Sequence, residues 1–567
     1  MRIALLAVLV VASIACTATP GPAAPQASGE TAPTASRTQT LVLATRSELD
    51  TLTGKALGSR GGVGDSSARR LFNADFALLD ERGAARPYLA EALPQLNTET
   101  WRLLPEGRME TTYRLKPGLT WHDGAAVSAQ DFVFAWRVYA TPQFGVAASA
   151  PISHMEEVAA TDERTVVIRW RRLFPEADAL QAEDFQALPR HLLEAAFEQD
   201  TPDAFMSRTF WSTEYVGLGP YRADRWEPGA FLEAVAFDHH VLGKPRISRV
   251  QLRFIGDSNA VMANLLAGEV HVTLPYTIYT TQTTVLRREW SANGGTVIVV
   301  PAGWRKAEVQ HRPEYANPRA ILDVRVRAAL AYALDKDALN DSLFEGQGFL
   351  ADVMIPSTKD YYPIVERAIT KYPHDPRRSE QLLIEAGYTR GPDGFFGGRG
   401  EGRLAIELRA NTSADLQLEM SIMAGQWRAA GIDIKEAPVS LTQARDGQFR
   451  ATFPGMYTGG GGFGEAGLAN FITSAISGPE NRWGASNRGG YSNPEYDRWF
   501  EAFSTTLDRA ERSQQIAQMA RIFTEDVAAI SIHFSPNVIA RASALRGPAA
   551  FAPESLPTWN IYEWELG

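Results

Sequence analysis

Asp323-Val-Arg-Val-Arg-Ala-Ala-Leu-Ala-Tyr-Ala-Leu-Asp335 is the stretch on which the fold reading turns. Val324, Ala328, Leu330, Ala331 and Leu334, with Leu339 beyond them, build a broad apolar stripe with charges on the opposite side. That period predicts one amphipathic helix over 323–344, stopped by Gly346. Downstream, 378–386 reads as a helix ended by Gly387, followed by the turn signal Gly391-Pro392-Asp393-Gly394. Strands are expected at 402–409 and 431–436 around a helix at 416–430, then a helix at 510–527 and a strand at 530–534. Upstream, Thr40-Leu-Val-Leu-Ala44 opens the folded part as a strand, and Ser128 with Asp131 caps a helix over 131–139. Strands alternating with amphipathic helices define an α/β chain.

Composition narrows the function. A chain of 567 residues is too long for one simple core, so several core-bearing units or one large two-lobed fold are expected. Apolar residues at 45% and charged residues at 22% are an ordinary soluble balance. The net charge of −10 leaves no basic footprint, which sets nucleic acid aside as a partner. The single cysteine, Cys16, rules out disulfides within the chain and any Cys-rich zinc or iron–sulfur centre.

Met1 and Arg2 precede an apolar run over 3–14, too short to span a bilayer but suited to a signal peptide. Ser13, Ala15 and Cys16 follow in an arrangement that resembles the lipobox of bacterial lipoproteins, with Ser13 standing where Leu is usual. The resemblance implies a signal peptide over 1–15 and lipidation of Cys16. Residues 16–39 are dominated by Ala, Pro, Thr, Ser and Gly and are expected to be a flexible tether. No later run approaches eighteen apolar residues, so no transmembrane helix is expected.

Five ordered segments carry a further resemblance. They are Tyr113-Arg-Leu-Lys-Pro-Gly-Leu-Thr-Trp-His-Asp-Gly124 with Val127-Ser-Ala-Gln-Asp-Phe-Val-Phe134, and Gly217-Leu-Gly-Pro-Tyr221 with Gly243-Lys-Pro245 and Leu266-Ala-Gly-Glu-Val270. The helix stretch quoted first is the third, Tyr372-Pro-His-Asp-Pro376 leading to Leu382-Leu-Ile-Glu-Ala-Gly387 the fourth, and Tyr491-Ser-Asn-Pro-Glu-Tyr-Asp497 the last. Together, from about residue 40 to 565, the chain resembles the family 5 extracellular solute-binding proteins, the large peptide- and nickel-type receptors of ABC importers. The resemblance implies a large, cluster C type periplasmic-binding-protein-like fold, with two α/β lobes on a hinge and an extra domain inserted in the first lobe. The implied boundaries are lobe I at 40–75, 214–305 and 535–567, the insertion at 76–213, and lobe II at 306–534. It further implies a monomer with no catalysis and no cofactor, whose partners are a small-molecule solute, ABC transporter permease subunits and, through its N-terminal lipid anchor, the membrane.

Peptide-binding members generally hold the peptide amino group with an aspartate in a W-x-x-D-like segment. The corresponding stretch here, 453–465, contains no Asp; Glu465 is the nearest substitute. An unpaired ammonium in a dry cleft is costly, so a peptide binder needs some such anion. The run Gly459 to Gly462 lacks the Lys-Ser/Thr of a phosphate loop and is expected to be a flexible loop, or bare backbone lying against a solute. Trp304, Tyr457, Phe463 and Trp483 are candidate stacking platforms, and Gln310 and Asn487 candidate paired donors and acceptors. Such a cleft suits sugars or other neutral polar solutes, and the solute expected is a small polar one, peptide or oligosaccharide-like. His239 and His240, placed on a strand, would face opposite ways, and neither an H-E-x-x-H nor a G-x-S-x-G segment occurs, so no metal site or catalytic residue is assigned. The competing readings are a secreted hydrolase on a similar scaffold and a receptor that feeds a membrane sensor.

Overall fold

Two long strands, Thr296–Val309 and Ala529–Arg541, run antiparallel through the middle of an eleven-stranded sheet in the computed structural model. Residues 40–58, 63–290, 294–398 and 402–567 are described; the expected signal peptide, Cys16 and tether lie outside them. Pro301 stands opposite Pro536, and the register slips between Ala302 and Trp304. Proline brings no N–H to a ladder, so this pair of facing prolines weakens the sheet locally.

The same point is where the strand pair changes core. Before it, Ile298, Val300 and Ile539 pack with Leu41, Leu43 and Leu252, while Val538 and Ala540 pack with Val42 and Ala44. After it, Ala307, Val309, Ile530 and Ile532 join a core with Leu330 and Trp427, and Trp304 and Phe534 join another with Met354 and Phe471. The fold is therefore two α/β lobes sharing one crossing strand pair. On the first-lobe side the order continues through Val272–Thr273, Thr40–Thr45, Arg249–Phe254 and Phe231–Ala236 to Tyr221–Glu227; on the second-lobe side it runs through Met456–Gly461 and Ala405–Asn411 to Asp433–Val439.

A four-stranded antiparallel sheet of Trp101–Leu103, Met109–Arg114, Thr165–Trp170 and Met155–Ala160 lies within the first lobe's sequence. The helix Ala129–Tyr139 covers it and begins on the expected capping box of Ser128 and Asp131. Phe76 stacks on Tyr113 at 4.0 Å and on Phe132 at 4.3 Å, and this core is continuous with that of the first lobe.

Two expectations are corrected. The single helix over 323–344 is two helices, Val324–Ala333 and Lys336–Phe344. Leu334 is extended at φ −87° and ψ 115°, and the Asp335 side chain accepts the Ala338 N–H at 2.9 Å as a new N-cap. The apolar stripe continues across the break, so its period hides it. Likewise, the glycine run is not a loop: Gly459 to Gly461 are the end of the strand Met456–Gly461. The helices Pro376–Glu385, Ala414–Ala429 and Arg509–Glu525 lie within a few residues of expectation.

His240 lies in a turn after Phe231–Ala236, not on a strand, and is buried between the rings of Tyr88 and Tyr562. Burial, with the Arg70 charge adding to it, pushes the imidazole from 6.5 down to about 2. Below its ordinary value the unfolded chain takes up a proton that the folded chain refuses, so stability falls as pH drops from 6.5 towards 2. At about pH 5 the loss from this one group is about 2 kcal/mol. Urea unfolding at neutral pH and at about pH 5 is expected to show a smaller pH-dependent loss in His240→Leu than in the parent chain.

Candidate functional site

The lobes meet along a seam built on one buried cation. Arg512 lies in the first turn of the helix Arg509–Glu525, where Asp508 caps the Glu511 N–H and fixes the turn. Its guanidinium sits 4.0 Å over the Phe503 ring and donates to the Phe503 carbonyl at 2.8 Å. Nη2 then reaches Glu465 of the second lobe at 2.9 Å and Glu176, next to Ala177 of the first-lobe core, at 2.8 Å. A second crossing pairs Lys359 with Glu554 of the C-terminal segment at 2.6 Å. A third joins Gln347 to the helix Thr280–Trp290, through Arg287 at 2.6 Å and Thr283 at 3.1 Å. Tyr361 donates to the other Glu465 oxygen at 3.1 Å, so both oxygens of that carboxylate are engaged.

The strand Met456–Gly461 leads into this seam. Its parallel ladder to Ala405–Asn411 stops at Thr458, whereas its antiparallel ladder to Thr296–Val309 runs on through Gly461. Gly459 and Gly460 therefore have one edge without a strand among the described residues. A Cβ placed on either would meet no heavy atom of the described chain within 4 Å. The other two glycines are packed: a Cβ on Gly461 would lie 2.6 Å from the Trp304 ring, and one on Gly462 2.6 Å from the Gly467 Cα. Glycine is thus required at 461 and 462 for close approach, while 459 and 460 border open space.

Behind the bare strand end a buried cluster holds it in place. Arg305, which faces Gly460 in the ladder, donates to Glu419 at 2.5 and 3.2 Å. His533 and Thr458 bond the same carboxylate at 2.9 and 2.6 Å. Burial alone would raise the Glu419 pKa; the Arg305 charge and the bonds from His533 and Arg305 outweigh it and hold the carboxyl well below the usual range.

The sequence-derived candidates do not gather at one place. Phe463 and Glu465 lie at the seam, Phe463 half-buried with its ring edge-to-face on Phe534 at 5.4 Å. Trp304 is fully buried beside them, against Phe471 and Phe523. Tyr457 belongs to a small core with Val439 and Phe453 and donates to Asn411 at 2.5 Å. Trp483 is half-buried, and its backbone packs where a Cβ on Gly447 would stand. Gln310 and Asn487 are buried with their amides committed to the chain. Gln310 donates to the Ala451 and Phe453 carbonyls at 3.1 and 2.8 Å, and Asn487 to those of Ile472 and Tyr491 at 3.1 and 2.7 Å. Arg512, Lys359, Tyr361, Glu176 and Glu554 were missed by sequence reading. None of them stands in a motif, and Glu176 and Arg512 meet across 336 positions of chain.

Two α/β lobes on a shared strand pair, meeting at a polar seam into which a bare strand end runs, define a receptor that encloses a solute. The chain belongs to the bacterial extracellular solute-binding proteins, family 5, whose profile, described as "Bacterial extracellular solute-binding proteins, family 5 Middle", matches residues 91–478. It is 22% identical over 506 residues to the oligopeptide-binding protein AppA of Bacillus subtilis, covering 86% of this chain and 84% of that one. It is 25% identical over 418 residues to the dipeptide-binding protein of Escherichia coli, covering 68% and 71%. The same fold occurs in NikZ of Campylobacter jejuni, solved with Ni(L-His), at TM-score 0.71 and 21% identity over 93% of this chain and 99% of that one. It also occurs in the substrate-binding protein CtaP of Listeria monocytogenes, at TM-score 0.74 and 17% identity over 93% and 99%. The chain is thus a solute-binding protein of the kind that serves ABC importers.

Proposed function

We propose that the chain captures an extended, peptide-like solute between its lobes outside the cytoplasmic membrane and hands it unaltered to an ABC permease. The observation that carries this reading is the edge at Gly459 and Gly460: backbone with no side chain, open space beside it, and no neighbouring strand among the described residues. An extended peptide can add itself there as a strand, its main-chain groups completing the ladder. The relatives named for oligopeptide and dipeptide binding support the same choice. Glu465 then acts as a fixed member of the seam, since Tyr361 and Arg512 already occupy its oxygens, and Phe463 walls the cleft. Trp304, Gln310, Tyr457 and Asn487 support the scaffold behind it, and Trp483 has no assigned contact with solute.

The lobes divide within a few residues of Pro301 and Pro536, with lobe I at 40–75, 214–305 and 535–567, the insertion at 76–213 and lobe II at 306–534. The receptor works as a monomer, tethered over 16–39 to lipidated Cys16, without cofactor or catalysis.

A thermal-shift and calorimetric screen of di- to oligopeptides, oligosaccharides and nickel–histidine tests the solute class. Peptides are expected to bind saturably and to be recovered intact, and Gly460→Val to weaken them about tenfold or more without lowering the melting temperature. Binding of a sugar or metal complex in place of peptide, or peptide affinity unchanged in Gly460→Val, would overturn the reading. A cleaved peptide would favour the hydrolase.

A further inference from the structure

Beside the seam, on the first-lobe side of the Lys359–Glu554 pair, a cavity of about 150 Å³ lies between the helix Val63–Arg69, the strand Ala77–Leu79, residues 181–184 of the insertion and residues 554–559. Arg69, Arg70, Asp75 and Asp184 line it, with the rings of Tyr88 and Trp559. No second-lobe residue does so among the described residues.

The charges are buried and incompletely used. Asp75 is 1% exposed; one carboxylate oxygen accepts its neighbour's N–H, from Phe76 at 2.7 Å, and Oδ2 has no hydrogen-bond partner among the described residues. Arg69 is 7% exposed, with contacts at the limit of bonding, 3.5 Å to Ser66 and 3.6 Å to Glu183, and its Nε is without a partner among the described residues. Arg70 is better held, by the Asn73 and Trp559 carbonyls at 2.9 and 3.1 Å and the Tyr88 hydroxyl at 2.8 Å. An uncompensated buried charge costs free energy, and Asn or Met would fill these positions at lower cost if packing were all they did.

Both signs of charge face one small space, which calls for a ligand carrying both. A cavity of about 150 Å³ accommodates roughly the six heavy atoms of a benzene ring, the size of a small amino acid. We infer that this cavity binds a free zwitterion of amino-acid size, with its carboxylate on Arg69 and Arg70 and its ammonium on Asp75 with Asp184 beside it. Burial pushes the Asp75 carboxyl well above its usual range, with Asp184 adding to it and the Phe76 N–H and Lys55 opposing; a bound cation reverses that shift. The site goes beyond solute capture in the cleft and does not depend on it.

Equilibrium dialysis and calorimetry of the purified chain with L-alanine test the assignment, with L-lactate and ethylamine as probes that each lack one charge. L-Alanine is expected to saturate a single site, with both controls bound about tenfold or more weaker. Asp75→Asn, which keeps the shape, and Arg69→Met, which gives up only marginal contacts, are each expected to lose about tenfold or more of alanine affinity. The scattering radius should not change on alanine binding, because the cavity lies on one side of the hinge. The inference is overturned if a crystal soaked in alanine shows water only, or if Asp75→Asn and Arg69→Met bind alanine as the parent does. It is equally overturned if alanine shrinks the molecule, which would place it in the cleft. Failure of the peptide screen would leave this result untouched, so the two readings fall separately.

Discussion

Glu419→Ala is expected to destabilise the folded chain by about 3–5 kcal/mol, the cost of breaking a buried ion pair by removing one member. The side chains of Arg305 and Glu419 are 11% and 4% exposed, and His533 and Thr458 bond the same carboxylate, so truncation strands a guanidinium and an imidazole together. The four residues come from three strands and the helix Ala414–Ala429, and removing their hub loosens the strand end that borders the seam. Urea unfolding followed by far-ultraviolet circular dichroism checks the size. The sign with pH follows from the direction of the shift: a carboxyl held below its unfolded value adds stability that is complete above the ordinary carboxylate range and is lost as pH falls through the folded value. The difference between parent and Glu419→Ala should therefore shrink in acid.

Trp304→Ala is expected to cost about 3–5 kcal/mol, the range for removing a large aromatic from a core. The ring is fully buried between Phe471 at 6.0 Å and Phe523 at 5.8 Å, with Gly461 pressed against its edge and Lys306 5.8 Å above it. Gly461 has no side chain to fill the space, and the Arg305 cluster holds the strands beside it in place, so the cavity stays largely open. Trp304→Phe, which keeps an aromatic in the site, should cost less. The same denaturation series gives both numbers, and a loss below about 1 kcal/mol for Trp304→Ala would place the ring outside the core.

How far the sequence reaches is clear from particular residues. Ser128 and Asp131, three apart, announce a cap that needs only local chain, and it is where it was expected. The break at Leu334 was invisible because the hydrophobic period of two end-to-end helices stays in phase. The glycine run lacked the β-propensity of a strand, and only pairing with Thr296–Val309, some 150 positions away, makes it one. The same limit hid the seam: Arg512 and Lys359 are ordinary surface cations until distant segments fold against them. Aromatic candidates failed to sort for a related reason. Trp304 and Phe463 carry similar sequence signals, and burial alone separates the core ring from the half-exposed one.

The proposed capture of a solute rests on lobes that pivot near Pro301 and Pro536 and close over it. Small-angle scattering of the purified receptor, with and without a saturating peptide from the binding screen, tests that motion most directly. A smaller radius of gyration is expected in the complex. A radius that stays constant at saturation would contradict it.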